Sequence, residues 1–144
     1  MNPAISNSLA ILKLQTALAE HPDNLIDIPD ATHVFAPGAY ARTIILPKGS
    51  TVVGKMHRHA HVNVISYGSV RVSTYEGFKD YSGHNLFVSL PNVKRSVHAL
   101  EETCWTTIHI TNETDLEKIE ADVIIEENSE EFISKFREMI GAEL

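Results

Sequence analysis

The spacing of apolar residues changes twice along the chain. Residues 4 to 20 place Ile5, Leu9, Leu12, Ala17 and Leu18 at helical intervals with no internal glycine or proline, behind candidate caps at Ser6 and Asn7, and stop at His21-Pro22. This predicts a helical arm whose apolar face docks on a barrel or a second subunit. The segment Asp23 to Pro29 is turn-rich, with Leu25, Ile26 and Ile28 as apolar anchors. From Thr32 to Thr111 the pattern shortens to the runs Ala41–Leu46, Thr51–Met56, His61–Tyr67, Val70–Tyr75, Asn85–Leu90 and Cys104–Thr111. They are rich in Val, Ile, Thr and aromatics and spaced by turn signals such as Pro37-Gly38, Gly68, Gly77, Ser82-Gly83 and Pro91-Asn92. Short strands spaced in this way predict an antiparallel sandwich or barrel, and the lack of strand-helix alternation argues against a parallel α/β sheet.

Helical spacing then returns. Thr114-x-x-Glu117 reads as a capping box opening a short helix through Leu116 and Ile119, followed by the apolar stretch Val123–Ile125. Ser129 caps a predicted last helix whose stripe is Phe132, Ile133, Phe136, Met139 and Ile140, with Glu130 and Glu131 in its first turn and Gly141 past its end. The expected class is all-β dominated, in one folding unit: an N-terminal helical arm (1–30), a barrel (31–112) and a C-terminal helical extension (113–144).

Composition changes this picture little. A chain of 144 residues with 43% hydrophobic and 22% charged residues is an ordinary globular domain with one core. No apolar run approaches the ~20 residues of a membrane span, and the start lacks the basic stretch of a signal peptide, so a cytoplasmic protein is expected. The formal charge of -7 opposes attraction to nucleic acid or an anionic membrane, and neither is expected as a partner. Cys104, the only cysteine, allows no intrachain disulfide and reads as a core residue. No Ser-His-Asp order, phosphate-binding glycine loop or paired-cysteine zinc motif is present.

Candidate chemistry concentrates between Gly54 and Gly68. His57, His59, His61 and Asn63 occupy every second position, so in a strand three imidazoles and an amide line one wall, with Arg58, Ala60 and Val62 on the other. Imidazole suits zinc, copper, iron and nickel, and a divalent ion (Zn, Ni, Mn or Fe) is the expected cofactor. The same row would also serve a solvated polar groove. Three histidines in five residues at strict period two favour the metal.

These residues resemble the first motif of the cupins, small jelly-roll barrels, in which a glycine precedes His-x-His, a Glu and a second glycine. His57-Arg58-His59, three residues and then Asn63 match the ligand core with Asn in the Glu slot, while Gly49 and Gly68 are each displaced by two positions. In the second-motif run from Pro91 to His98, Arg95 stands in the usual His slot, one residue short. A closer similarity is to single-domain cupin-like proteins of tailed phages and bacteria. It is carried by Pro37-Gly38-Ala39-Tyr40-Ala41-Arg42, Gly54-Lys55-Met56-His57, His61-Val62-Asn63, Val93-Lys94-Arg95, the run Glu101 to His109 and the run Thr114 to Glu120. The resemblance spans roughly residues 35 to 120 and implies a jelly-roll barrel. It also implies His57, His61 and His109 as the favoured ligands, with His59 less typical.

Asn63 is a weaker ligand than a carboxylate and no general base. Arg95 has only donors; it cannot bind a cation but can clamp a carboxylate or phosphate in a two-pronged bond. If it faces the histidines, the site combines metal and anion. His98, three residues beyond Arg95, falls on the opposite face unless a bulge re-aims it. His109 shares a face with Trp105 and Thr107, as a ligand or as a hydrogen-bonded core residue. Tyr40, with Tyr67 and Tyr75, can offer a hydroxyl to a ligand or fill the core. The expectation is a metal-binding protein with a site for a small anionic molecule, its catalysis open. The alternatives are a non-catalytic module that binds or sequesters a small, nucleotide-like ligand, and an oligomeric interaction protein. A homodimer is expected, with the apolar faces of the terminal helices partly buried between subunits.

Overall fold

The computed structural model describes residues 2–21 and 26–141, so Leu25 of the turn-rich segment lies outside the described residues, as does the side chain of Ile140. Helix α1 (Pro3–Glu20) begins earlier than its candidate caps suggest. Asn2 is the cap, its Oδ1 accepting from Ala4 N at 2.9 Å, and Pro3 takes the first helical position, where the missing N–H has no intrahelical role. Ser6 and Asn7 are therefore interior. Asn7 instead donates from Nδ2 to Tyr75 O at 3.0 Å and ties the helix to the barrel.

Among the described residues nine strands follow: β1 (Thr32–Ala36), β2 (Ala39–Leu46), β3 (Thr51–Val53), β4 (Met56–His57), β5 (His61–Thr74), β6 (Gly77–Ser82), β7 (Asn85–Ser89), β8 (Ser96–His109) and β9 (Ile124–Ile125). Helix α2 (Leu116–Val123) precedes β9, and α3 (Glu130–Ile140) follows it. The main sheet is antiparallel in the order β1-β2-β8-β5-β6, with β3 also on β8 and β7 also on β5, while β4 pairs with β9 alone. The expected all-β architecture with an N-terminal helix and C-terminal helices is present.

Two strand boundaries differ from the sequence reading, each for a local reason. The runs His61–Tyr67 and Val70–Tyr75 are one strand, because Gly68 is carried through as a bulge with register shifts on both sides. Its φ of +111° suits glycine, and a Cβ there would run into Thr103 Oγ1, Glu102 O and, at 2.5 Å, Thr103 Cα. The run Thr51–Met56 instead splits at Gly54-Lys55, and its halves pair with different strands.

The main core is Leu46, Ile65, Val70, Val72, Val97, Ala99 and Trp105, with Ile28 packed against it. The helices use their apolar faces on the same chain. Ile119 and Val123 of α2 pack with Tyr40, and Phe132 and Phe136 of α3 pack with Met56 and Ile125. Ser129 caps α3 by accepting from Phe132 N at 3.0 Å, and Gly141 ends it in the left-handed conformation, as expected. The cap of α2 is Asp115 rather than Thr114, its Oδ1 accepting from Glu117 N and Lys118 N. No helix among the described residues is long and apolar enough to cross a membrane.

Candidate functional site

The inward-facing positions of β5 and β8 follow from strict alternation. His61, Asn63 and Ile65 are buried where Val62 and Val64 are not, and Trp105, Thr107 and His109 are buried between the more open Cys104, Thr106 and Ile108. Pairing of Tyr40 with His109 across β2 and β8 brings the end of β8 beside the start of β5. His57 arrives from the separate strand β4. The ring centroids of His57 and His61 are 4.5 Å apart, those of His61 and His109 5.3 Å, and those of His57 and His109 5.6 Å.

The expected single row of four does not form. The chain leaves β4 at Arg58 and re-enters a strand only at His61, and the His59 ring turns outward to Asp122, with Nε2 3.4 Å from Oδ1. The cause lies next door: Arg58 donates from Nε and Nη2 to the two Glu131 oxygens, at 3.0 and 2.9 Å, and from Nη1 to the carbonyls of Ala121 and Asp122. Its backbone N–H also reaches Val123 O at 2.8 Å. The C-terminal extension thus grips the turn that carries His59 and, through the pairing of His57 with Ile124, the strand that carries His57.

Burial keeps the three clustered rings neutral. Desolvation, then the positive fields of His61, Arg95 and His109, hold the His57 pKa at about 3. Burial, then Arg95 and His109, hold that of His61 at about 4, and burial, then Arg42, His59 and Arg95, lower that of His109. The Nδ1–H of His57 donates to Lys55 O at 3.1 Å in the neutral tautomer, which leaves Nε2 with a lone pair. His61, 5% exposed, has no hydrogen-bond partner on either ring nitrogen. Buried polar atoms left so are uncommon. Among the described residues no three His, Cys, Asp or Glu side chains stand ready-made as an ion cage; the imidazoles pack ring against ring.

Beside the histidines lies a second constellation. Asn63, fully buried, accepts at Oδ1 from Trp105 Nε1 at 3.0 Å and from Arg95 Nη2 at 3.3 Å, and its Nδ2 donates to Ser89 Oγ at 2.8 Å. Arg95 also donates from Nη1 to Ser89 Oγ and lies over the Trp105 ring, 4.9 Å from its centroid. Burial lowers its pKa to about 10, so it stays charged at neutral pH, and among the described residues no carboxylate pairs with it. Ser89 was not among the expected site residues, and Trp105 was read only as sharing a face with His109 and Thr107. Their signal was a polar and an aromatic residue at inward positions of β7 and β8.

Tyr40 is buried, with its hydroxyl 2.7 Å from His33 Nδ1 and its ring stacked between Phe35 and His109. His98 is exposed on the far side of the sheet, with Nδ1 2.7 Å from Thr51 Oγ1, and does not join the cluster.

No protein-family model matches the sequence, and no curated protein matches it. Solved structures do. A cupin superfamily protein from Desulfitobacterium hafniense superposes with a TM-score of 0.53 at 7% identity, over 60% of this chain and 80% of that one. An RmlC-like cupin from Shewanella frigidimarina gives 0.50 at 18% identity over 62% and 86%. The salicylate 1,2-dioxygenase of Pseudoaminobacter salicylatoxidans, in adducts with gentisate, gives 0.51 at 15% identity over 69% of this chain and 30% of the enzyme. At such identities the likeness is one of fold, without bearing on a phage or bacterial source. The antiparallel barrel and the helices added at either end, with these likenesses, make this chain a protein of cupin fold.

Proposed function

We propose that this protein binds a small anionic molecule at a site built from Arg95 and a divalent ion carried by His57, His61 and His109. The observation that supports the reading most is Arg95. It is a partly buried guanidinium held only by neutral partners, and a charge drawn from water without a counter-charge is a costly arrangement that an anion relieves. The bracket of Asn63, Ser89 and Trp105 fixes the guanidinium plane, so a two-pronged carboxylate or phosphate meets an oriented partner.

The donor set fits a metal ion. Three neutral imidazoles converge, one with both nitrogens unpartnered and one with its outer nitrogen already fixed as a lone pair. His57, His61 and His109 would hold the ion. His59 is turned to Asp122, and Asn63 has both lone-pair directions of its oxygen engaged. A bound Zn, Ni, Mn or Fe ion would add Lewis-acidic positive charge beside Arg95. Arg95 would orient the anion, and the packed rings and Trp105 would keep water away. Asn63 offers no base, which favours holding the ligand over converting it. Enzymatic turnover is the second reading, supported by the fold neighbour that is a dioxygenase.

The test combines metal analysis of untagged protein with calorimetry on a panel of salicylate, gentisate, inorganic phosphate and nucleoside monophosphates. At least one anion should bind. Losing one partner of a buried charged hydrogen bond costs ~2–5 kcal/mol, so Arg95→Ala should weaken binding at least about 30-fold while leaving metal content unchanged. Equal affinity in the variant would overturn the role of Arg95. Metal at background, with no uptake of zinc, nickel, manganese or iron(II), would overturn the metal.

A further inference from the structure

Strict alternation along β2 puts Tyr40, Arg42, Ile44 and Leu46 on its inward side. Tyr40 stacks on His109, and Ile44 and Leu46 pack in the main core, whereas Arg42 between them is exposed. A charged side chain at an inward position keeps its water only where the wall is open, so Arg42 marks the open side of the barrel. Register shows what lies behind it. Arg42 stands opposite Thr107, and Thr107 opposite Asn63, in one row across β2, β8 and β5. Exposure falls along that row from the open Arg42 to 9% at Thr107 and 0% at Asn63. At the inner end Asn63 holds the Arg95 guanidinium, with Oδ1 3.3 Å from Nη2. The row therefore has a guanidinium at either end, and its backbone spans two strand spacings, ~10 Å.

Arg42 has no carboxylate of its own. Among the described residues none lies within ion-pair distance of it, whereas Arg58 holds Glu131 and Arg71 holds Asp80. The charges that bear on His109 are Arg42, His59 and Arg95, with no acid among them. In a chain of formal charge -7 this end of the barrel is a local excess of cations, the field that gathers anions.

We propose that Arg42 is a second anion anchor, and that the ligand of this site carries two separate carboxylates on a short skeleton. The inference rests on the reading of Arg95 as an anion anchor and adds a partner for the ligand's other end. One carboxylate seats on Arg95 and the other meets Arg42 on the open side. Each guanidinium can take a carboxylate through two parallel N–H···O bonds. Once the first end is held, the second contact is intramolecular and needs no further loss of translational freedom. Arg42 thereby selects diacids over monoacids of the same length.

Calorimetry on the untagged protein at constant ionic strength tests this, with succinate, glutarate and adipate each set beside its monoacid, butyrate, valerate or hexanoate. At least one diacid should bind about tenfold or more tighter than its monoacid. Arg42→Gln should bring that diacid down to the affinity of the monoacid and leave the monoacid unchanged, with folding checked by circular dichroism. Arg42→Lys should keep part of the preference, because the charge remains without the fork. Arg71→Gln removes a positive charge from the outward side of β5, between the buried Val70 and Val72, and should leave the preference whole. A diacid preference that survives Arg42→Gln, equal affinity for every diacid and its monoacid, or no binding of any diacid would each overturn the second anchor. In any of these cases, binding of salicylate or inorganic phosphate that is lost in Arg95→Ala would show that the first anchor stands.

Discussion

Asn63 accepts a hydrogen bond from Trp105 Nε1 at 3.0 Å while the Arg95 guanidinium lies over the same indole ring. One amide thus fixes the position of the tryptophan and of the cation. Asn63→Leu, close in volume, should remove both bonds and leave an indole N–H and a guanidinium buried without their acceptor, a loss of about 2–4 kcal/mol. Urea unfolding at neutral pH measures it. Asn63→Asp should keep the fold, pair with Arg95 and weaken anion binding more than tenfold by occupying the guanidinium's charge. Unaltered anion affinity in Asn63→Asp would show that Arg95 is not the anchor.

Ligand arrival should be visible without a label. Trp105 is the only tryptophan, and its ring carries Arg95 on its face. An anion drawn to that guanidinium should change the emission intensity or wavelength of the indole, saturably and with the calorimetric affinity. Arg95→Ala should abolish the change. A flat titration alongside a calorimetric signal would put the bound anion elsewhere.

Acid should destabilise the metal-free protein early. An unfolded histidine titrates near 6.5, whereas His57 and His61 titrate at about 3 and about 4 when folded, so the unfolded state binds more protons as the pH falls below 6.5. Their stabilising effect is complete above pH 6.5 and declines until the folded values are reached, at a rate of at most about 1.4 kcal/mol per pH unit for each ring. Midpoints of urea unfolding between pH 7 and 4.5 should fall less steeply in His57→Asn than in the wild type. Parallel slopes would mean that His57 is accessible and titrates normally.

Metal retention should follow the same low values. Protons compete poorly for imidazoles that burial keeps neutral, so dialysis at pH 5.5 should leave the metal content near its value at pH 7.5. Elemental analysis across a pH series measures this. Release centred near pH 6.5 would mean that burial does not shield the ligating imidazoles. His61→Ala should abolish retention at any pH.

Gly68 should tolerate no side chain. With φ at +111° and Thr103 Cα 2.5 Å from where a Cβ would sit, Gly68→Ala forces either the bulge or β8 to move, and a loss of at least ~2 kcal/mol is expected. Thermal unfolding would register it, and a change within experimental scatter would mean that the bulge relaxes freely.

Alternation and turn residues were enough to reveal the barrel, because a strand's two faces leave their mark within a few residues. The site was harder to read, because its parts meet through register. His109 reaches His61 only because β2, β8 and β5 pair as they do, and Asn63 meets a tryptophan 42 positions away. His59 illustrates the opposite failure. Period two placed it in the row, but the two-pronged pull of Glu131 on Arg58, across 73 positions, bends the chain just where the row should have continued. Charge was legible and its partner was not.

That grip also orders the making of the molecule. In synthesis from the N-terminus, every strand of the main sheet has been made by His109, before α2, β9 and α3 exist. His57 then still waits for Ile124, and Arg58 for Glu131. The strand that carries His57 therefore finds its pairing partner only after the two imidazoles of the main sheet, His61 and His109, have been made.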